Sequence, residues 1–469
     1  MRNIVVMIIL SCILLQIIVC EIRFAFSFWR EGARAPELTS NEDNVDILGE
    51  SWNSPGDLSP SGMRMHYLLG RRNREIWANL LSESYKPNEI FVRSTGYNST
   101  ISSAISHLQG LYPAFTGPTL TDLQIGKAIP PTSNADDLIT PINDAGIAAL
   151  PNRINVAPVH IIDNNNDNFF FYDPLYCPPI KDIFSSNAKS DRIIQLVSEI
   201  NSTWGNKLKT ALNKESEKHV FDLQEIYHIA DAFVSDYYEK KELKSFVDAG
   251  IDLDEFLNVA DDILFHFAFY YFNGDVEQMF AKISMTPILI DVFRWMDTRI
   301  QYDKASKEYT GYVAPAVVLY STHDTTLASA QTIFDYVFDV NGDYIPTPFA
   351  SSFVWELYRK DNAVASSLTE ADYTVKIFYN YQEYFTEISY PVFKSKLRPY
   401  LLTIEEINAF CGFDSPNKPR FIPTSYIDAT IVLSVLLFLS VVSIVILMIL
   451  LIKRNSLKAT LHTTGAQPL

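Results

Sequence analysis

Residues 28–36 read Phe28-Trp29-Arg30-Glu31-Gly32-Ala33-Arg34-Ala35-Pro36, and no other run of this length says more about how the chain folds. Within 22–29, Phe24, Phe26 and Phe28 alternate with the small residues Ala25 and Ser27, a period typical of a β-strand. The charged residues Arg30, Glu31 and Arg34 follow directly at the exit of that strand. Open α/β sheets commonly carry catalytic residues at such exits, so we predict a functional loop here.

A second strand with a polar exit is predicted late in the chain. Residues 313–320 form a buried-strand pattern, which leads into Ser321-Thr322-His323-Asp324, and a helical pattern resumes over 327–337. Strand and helix patterns alternate in the rest of the chain too, with helices over 61–81 and 100–111 and strands over 89–92, 353–358 and 373–379. The sequence therefore predicts an α/β fold in which helices flank an open sheet.

The middle of the chain changes character. Over 191–299 the apolar residues recur at helical spacing and few strand signals appear. We interpret this part, about residues 185–300, as a helical insertion or lid. Its aromatic stripes are typical of core packing, and no cofactor or metal site is predicted.

The two ends of the chain predict a membrane protein. An apolar run over 4–19 behind Arg2 matches a cleaved signal peptide, residues 1–20. The uncharged run 429–452 is long enough to cross a bilayer of roughly 30 Å as one helix. Basic residues follow that run, which favours a cytoplasmic tail over 453–469 and a single-pass type I topology.

The residues between these ends form the predicted ectodomain, 21–414, followed by a juxtamembrane stalk, 415–428. This topology places the ectodomain outside the cell or in a lysosomal or vesicular lumen. A composition of 48% hydrophobic and 20% charged residues favours one large folded domain over disorder. The net charge of −17 argues against nucleic acid as a partner.

Four cysteines are present, of which Cys12 and Cys20 fall in the predicted signal peptide. The remaining two, Cys177 and Cys411, would form one disulfide in an oxidising compartment. The alternative is a pair of unpaired buried thiols.

Two sequons predict N-glycosylation, at Asn98 and at Asn201. Asn201, in the helical region, is the favoured surface acceptor. Asn98 is either glycosylated, which would crowd the mouth of the predicted site, or it is buried or simply unmodified.

The run 28–36 resembles the Arg-His-Gly-x-Arg-x-Pro motif of the histidine acid phosphatases. Further runs carry the resemblance across about residues 22–411: His323-Asp324, Leu58 to Gly62, Val92 to Thr95, and Ala157 to His160. It implies an open sheet of the phosphoglycerate-mutase type and phosphate monoester hydrolysis at acid pH. Members of the family are often lysosomal, secreted or at the cell surface, and many are homodimers.

The resemblance also implies a role for each matching residue. Arg30 and Arg34 would bind phosphate oxygens through charge-assisted hydrogen bonds. His323 would bind phosphate, and Asp324 would protonate the leaving oxygen as a general acid. The expected ligand is a phosphomonoester or another small anion.

Two positions depart from the family pattern. Glu31 stands where the family has its nucleophilic histidine, and Ser99, six positions after Arg93, stands where a third phosphate-binding arginine is expected. A carboxylate ~4 Å from a phosphate costs about 4 kcal/mol at an effective dielectric constant near ~20. We therefore expect Glu31 to pair with Arg30, Arg34 or His323 and to occupy the phosphate position itself.

Three functions remain open from the sequence. The chain is a membrane-anchored pseudo-phosphatase that binds a ligand without turnover, an acid phosphatase that works through altered residues, or a structural surface protein. Glu31 itself would be the nucleophile in one form of the second hypothesis. The other histidines, among them His66 and His107, carry no signature and receive no catalytic role.

Overall fold

The computed structural model describes residues 21–38, 47–52, 54–131, 146–162, 169, 177–214, 218–273, 279–305, 314–340, 345–360 and 367–412. The predicted signal peptide, the stalk, the anchor (429–452) and the tail lie outside these residues. Within the described ranges, no helix combines the length and the hydropathy that a membrane span needs.

A seven-stranded mixed sheet forms the centre of the fold, with the strand order β3-β2-β4-β1-β5-β6-β7. Strands β1 to β4 pair in parallel, and β5 to β7 continue the sheet from β1 in antiparallel fashion. The strands are β1 (Glu21–Arg30), β2 (Ile90–Ser94), β3 (His160–Ile161), β4 (Val317–Thr322), β5 (Ser352–Arg359), β6 (Tyr373–Tyr379) and β7 (Gln382–Ser389). An open α/β sheet was predicted, and it is confirmed.

Thirteen α-helices are described in these ranges. They are α1 (Pro60–Ile76), α2 (Asn98–Leu111), α3 (Asp122–Ile125), α4 (Pro179–Asn187), α5 (Asp191–Thr203), α6 (Gly205–Ala211), α7 (Leu223–Tyr238), α8 (Lys244–Asp248), α9 (Leu253–His266), α10 (Met279–Ala305), α11 (Asp324–Phe338), α12 (Tyr390–Leu397) and α13 (Ile404–Cys411). A π-helical turn, Phe267–Asn273, extends α9.

The side chains of β1 explain why this strand is central. Phe24, Phe26 and Phe28 point to one face and pack with residues of α10 and α11, whereas Ala25 and Trp29 pack on the other face with residues of α2 and of the segment 77–81 that follows α1. All five side chains are fully buried. A strand covered on both faces is stabilised by apolar burial on each side, which fixes the position of the charged residues that follow it.

The helices between β3 and β4 divide between two apolar clusters. Residues of α5 to α9 share a cluster of their own, which reaches the polar edge of the sheet through Ala33 and Phe349. Residues of α10 belong to the cluster on the sheet instead. The helical region therefore has two parts. Helix α10 flanks the sheet, and helices α5 to α9 pack over the loop that follows β1.

The chain divides into two units, Met1–Leu402 and Thr403–Leu469. In the second unit the described helix is α13, which Thr403 caps by accepting a hydrogen bond from the main-chain N–H of Glu406. Cys177 and Cys411 are each disulfide-bonded, so the alternative of two unpaired thiols is wrong.

Candidate functional site

The register of the sheet brings the two predicted functional loops together. Arg30 pairs with Thr322 across the parallel strands β1 and β4. Since both strands end there, the next residues, Glu31 and His323, emerge side by side at the same edge. Ser94 of β2 pairs with Ser321, so Thr95 emerges beside them. Three strand exits thus meet at one point.

The carboxylate of Glu31 lies at the centre of this edge and is 3% exposed. Its Oε1 accepts a hydrogen bond from Nε of Arg34 at 3.1 Å and lies 3.9 Å from Nε of Arg30. Its Oε2 lies 3.4 Å from Nδ1 of His323, at ion-pair distance. The expected pairing of Glu31 with cations of the site is thus present in the structure.

Arg34 is buried and its guanidinium is surrounded by acceptors. Besides the bond to Glu31, Nη1 donates to the carbonyl of Ala35 at 3.0 Å and to Asp231 at 3.3 Å. Nη2 lies 3.1 Å from Asp231 and donates to Glu37 at 3.2 Å. Each nitrogen of this arginine therefore has a partner within the protein.

Arg30 is held from other directions. Its Nη1 donates to the carbonyl of Thr347 at 2.6 Å, and its Nη2 lies 3.5 Å from Asp324. The guanidinium carbon sits 4.4 Å from the ring centroid of Phe349, a cation–π distance, and that of Arg34 sits 5.7 Å from the same ring. Phe349 therefore supports both arginines.

His323 occupies the N-cap position of α11, without a capping hydrogen bond from its side chain, and both ring nitrogens face polar groups. Nε2 lies 3.2 Å from Oγ1 of Thr95, while Nδ1 faces Glu31. The ring of Tyr97 meets the imidazole edge-on at 4.9 Å. Asp324, the next residue, is partly exposed and accepts a hydrogen bond from the main-chain N–H of Thr325.

The pKa shifts of Glu31 and His323 describe one ion pair. Burial alone would raise the pKa of Glu31, but His323, Arg34 and Arg30 together outweigh it and hold that pKa well below its usual range. Burial would lower the pKa of His323, but Glu31, followed by Asp324, raises it above the ordinary value. Both groups are therefore charged at mildly acid pH.

A cavity of about 410 Å3 opens over this group. Glu31, Arg34, His323, Asp324 and Ser99 line it. Ser99 lies in the first turn of α2 and is 5% exposed. The structure thus brings these residues to one cavity, and Arg30 lies directly behind it through its contact with Asp324. Among the described residues, no group of three or more His, Cys, Asp or Glu side chains has the arrangement of a metal site.

Gly32 explains how the loop can pass so close to α1. A Cβ at this position would lie 2.5 Å from the carbonyl oxygen of Gly62, and a Cβ at Gly62 would lie 2.1 Å from the carbonyl oxygen of Ala33. The N–H of Gly32 donates to Ser103. Two glycines thus permit a main-chain contact that holds the loop beneath the cavity.

The other residues singled out in the sequence lie around this group. Arg93 points into the core, where Nη1 lies 3.5 Å from Asp291. His66 is fully buried, and its Nε2 lies 3.2 Å from the carbonyl oxygen of Arg30. It supports the loop from below, a positioning contact that the helical pattern of α1 gave no reason to expect.

The two sequon asparagines differ in their surroundings. Asn98 is exposed at the start of α2, and its Nδ2 donates to Asp57. Asn201, on α5, is only partly exposed. Its Nδ2 donates to the carbonyls of Val197 and Phe221, and its Oδ1 accepts from the N–H of Phe221.

Four further site residues were not identified from the sequence. Asp231 comes from α7, Glu37 from the end of the loop, and Thr347 and Phe349 from the segment before β5. Asp231 lies in the helical pattern over 191–299, from which no polar site was predicted. An aspartate that is 1% exposed becomes significant once a buried arginine is known to face it.

Comparison with known proteins places these residues in a family. The family model of the histidine phosphatase superfamily (branch 2) matches residues 26–380. Lysosomal acid phosphatase from Xenopus laevis is 25% identical over 344 residues, which cover 73% of this chain and 67% of that protein. Prostatic acid phosphatase from Mus musculus is 24% identical over 348 residues, covering 72% and 75%.

Solved structures of similar proteins were also found. A phytase from Citrobacter braakii aligns with a TM-score of 0.48 at 13% identity and covers 83% of this chain and 99% of its own. A multiple inositol polyphosphate phosphatase from Bifidobacterium longum, in complex with inositol hexasulfate, aligns with a TM-score of 0.40 at 15% identity, covering 79% and 88%.

Proposed function

Because the chain belongs to the histidine phosphatase superfamily (branch 2), we propose that it is a membrane-anchored member whose phosphate monoester hydrolysis is lost or strongly impaired. One observation carries the proposal: the buried carboxylate of Glu31 takes up contacts with Arg34 and His323 that a bound phosphate would need. The site then holds an internal anion in place of a substrate.

The position of Glu31 removes the nucleophile of the family reaction. It follows the first arginine of the motif, where the family carries the histidine that attacks phosphorus. A glutamate with a strongly lowered pKa is a permanent anion, and an anion is repelled by the phosphate dianion that it would have to attack. At ~4 Å this repulsion amounts to about 4 kcal/mol at an effective dielectric constant near ~20. Glu31 is therefore a poor replacement nucleophile.

The remaining cations of the site contribute little attraction for a phosphate. Arg34 already contacts Glu31, Glu37 and Asp231, and Ser99 supplies no charge where a third arginine is expected. A phosphate would have to displace buried ion pairs, which is costly because each displaced charge would be left without a partner. His323 and Asp324 keep the family's binding and general-acid positions, so the scaffold retains part of the machinery without the attacking group.

The ends of the chain and the relatives support the proposed location. The predicted signal peptide and the apolar run 429–452 support a type I protein with a lumenal or extracellular ectodomain. The name of one relative, lysosomal acid phosphatase, agrees with such a compartment. A homodimer stays a prediction from the family resemblance.

Hydrolysis of an aryl phosphate at acid pH tests the proposal. The full chain, purified in detergent, is compared with Glu31→His, with Glu31→His combined with Ser99→Arg, and with Glu31→Gln. The natural chain and Glu31→Gln should stay at background, because neither has a nucleophile, and the double variant should gain turnover. The Glu31→Gln variant removes the repulsion between residue 31 and the phosphate without adding a nucleophile. It therefore shows whether a gain of turnover in Glu31→His needs the imidazole. Turnover by the natural chain well above background would refute the proposal.

A further inference from the structure

The cavity over Glu31 has walls of an unusual composition for a phosphate site. Three carboxylates, Glu31, Glu37 and Asp324, line it together with three aromatic rings, Tyr97, Tyr227 and Phe272. Arg34 and His323 are the cations in the same wall. Phosphate sites present donors and positive charge to the ligand, whereas carboxylates and aromatic faces are the groups that attract a cation.

The charged groups around the cavity do not favour the binding of an anion. The three carboxylates of the wall and Asp231 behind them face Arg30, Arg34 and His323. Four carboxyl groups therefore meet three cationic groups, even with His323 protonated. Since each nitrogen of Arg34 already contacts a protein acceptor, an anionic ligand would have to compete with these acceptors for the arginine.

One buried carboxylate oxygen in the wall has room for a further donor. Oε2 of Glu31 lies in the cavity wall on a side chain that is 3% exposed, and the cation that faces it, Nδ1 of His323, is 3.4 Å away, too far for a well-formed hydrogen bond. A buried carboxylate oxygen is normally satisfied by more than one donor. An N–H group entering the cavity would supply a second donor.

We propose that this cavity binds a primary ammonium group, with the N–H donors directed to Glu31 and the charge shared with Glu37 and Asp324. The rings of Tyr97, Tyr227 and Phe272 accommodate the carbon chain that carries the ammonium. The proposal rests on the proposed function, because a cavity that still bound phosphate could not present Glu31 to a cation. The same ammonium chemistry is found on a free amine and on a protein lysine.

Calorimetric titration of the full chain with matched pairs of probes tests this ligand class. Butylamine is compared with 1-butanol for the free amine, and Nα-acetyl-lysinamide with Nα-acetyl-norleucinamide for the lysine side chain. In at least one pair the ammonium member should bind about tenfold or more tighter than its neutral partner. Equal affinity within both pairs would overturn the proposal, and the pair that discriminates identifies the source of the group.

Variants then locate the binding. Glu37→Gln, at an exposed residue of the wall, should weaken ammonium binding several-fold, and Glu31→Gln should weaken it further. Glu83→Gln, a matched change at an exposed glutamate outside the cavity wall, should leave it unchanged. Ammonium binding that all three variants preserve would overturn the site assignment.

Hydrolysis measured on the same samples keeps the two proposals apart. Turnover of aryl phosphate by the natural chain contradicts the proposed function, whatever the amines do. Absence of turnover together with equal affinity for the amines and their neutral partners contradicts only the ligand class. Inorganic phosphate that bound the natural chain more tightly than the amines would contradict both.

Discussion

The Oε2 atom of Glu31 and the Nδ1 atom of His323 lie 3.4 Å apart at the shared edge of β1 and β4. Each residue is the first after its strand, and the parallel register sets them side by side. The shifts of their pKa values in opposite directions follow from this contact. The site therefore contains an anion, Glu31, in contact with a cation, His323.

The ion pair predicts a stability that depends on pH. The pKa of Glu31 is lowered in the folded state, so its contribution is present above about pH 4.3 and is lost only at strongly acid pH. The pKa of His323 is raised, so its contribution is present below about pH 6.5 and is lost as the pH rises through the raised value. A double-mutant cycle of Glu31→Gln and His323→Gln, followed by denaturant unfolding, should give a coupling of about 1 kcal/mol or more near pH 5.5. Coupling that is unchanged near pH 9 would contradict this assignment.

The buried His66 predicts that the fold loses stability as the pH falls, opposite to the contribution of His323. Burial lowers its pKa to about 4, although the carbonyl of Arg30 and the charge of Glu31 act to raise it. A neutral buried histidine stabilises the fold fully above about pH 6.5, and about 3 kcal/mol is lost as the pH falls toward 4. We expect His66→Gln, which keeps a donor for the Arg30 carbonyl, to flatten the fall of Tm over this range. His219→Gln, at a partly exposed histidine, is the control, and an equal slope in both variants would exclude His66 as the cause.

Gly32 predicts a steric requirement in the loop. In Gly32→Ala the new Cβ would lie 2.5 Å from the main-chain oxygen of Gly62, and main chain cannot yield as a flexible side chain does. We expect a loss of about 2 kcal/mol or more in the free energy of unfolding. Gly126→Ala is the matched control, because nothing lies within 4 Å of its Cβ position and its φ is −68°. Equal stability of the two variants would show that the loop passes α1 less closely than described.

The two sequons predict different outcomes for a glycan. Asn98 is exposed, and a glycan on its Nδ2 would disturb one hydrogen bond, to Asp57. The side-chain amide of Asn201 instead makes hydrogen bonds that connect α5 to Phe221. We expect a glycan on Asn98 rather than on Asn201, in contrast to the preference drawn from the sequence. Peptide mass analysis after glycosidase treatment measures both. Asn201→Gln should lower Tm while Asn98→Gln should not, and a glycosylated Asn201 would contradict the geometry.

Much of the site could be predicted from local sequence because its residues end strands. The alternation before Trp29 and the apolar run before Ser321 indicate strands, and parallel strands in one sheet bring their exits to one edge. The observed strand Tyr373–Tyr379 has the predicted bounds, and β1, β2 and β5 differ from the predicted strands by one or two residues at each end. The local periodicity of the sequence is therefore sufficient to predict these strands.

The groups that surround the arginines could not be predicted in the same way. Asp231 is 197 residues from Arg34 in the chain, and the carbonyl of Thr347 is 317 residues from Arg30. Contacts of this range depend on how α7 and the segment before β5 pack over the loop. The sequence indicated that Glu31 needs a cation, but packing decides that Arg34 and His323 supply it.

Binding of inorganic phosphate, measured by calorimetry at acid pH, tests the central claim most directly. The claim is that the carboxylate of Glu31 occupies the phosphate position. We predict no measurable binding to the natural chain and at least tenfold tighter binding to Glu31→Gln, since the variant removes a charge whose repulsion is about 4 kcal/mol at ~4 Å. Glu83→Gln should behave as the natural chain does. Tight phosphate binding by the natural chain, or equal affinity in Glu31→Gln, would contradict the account.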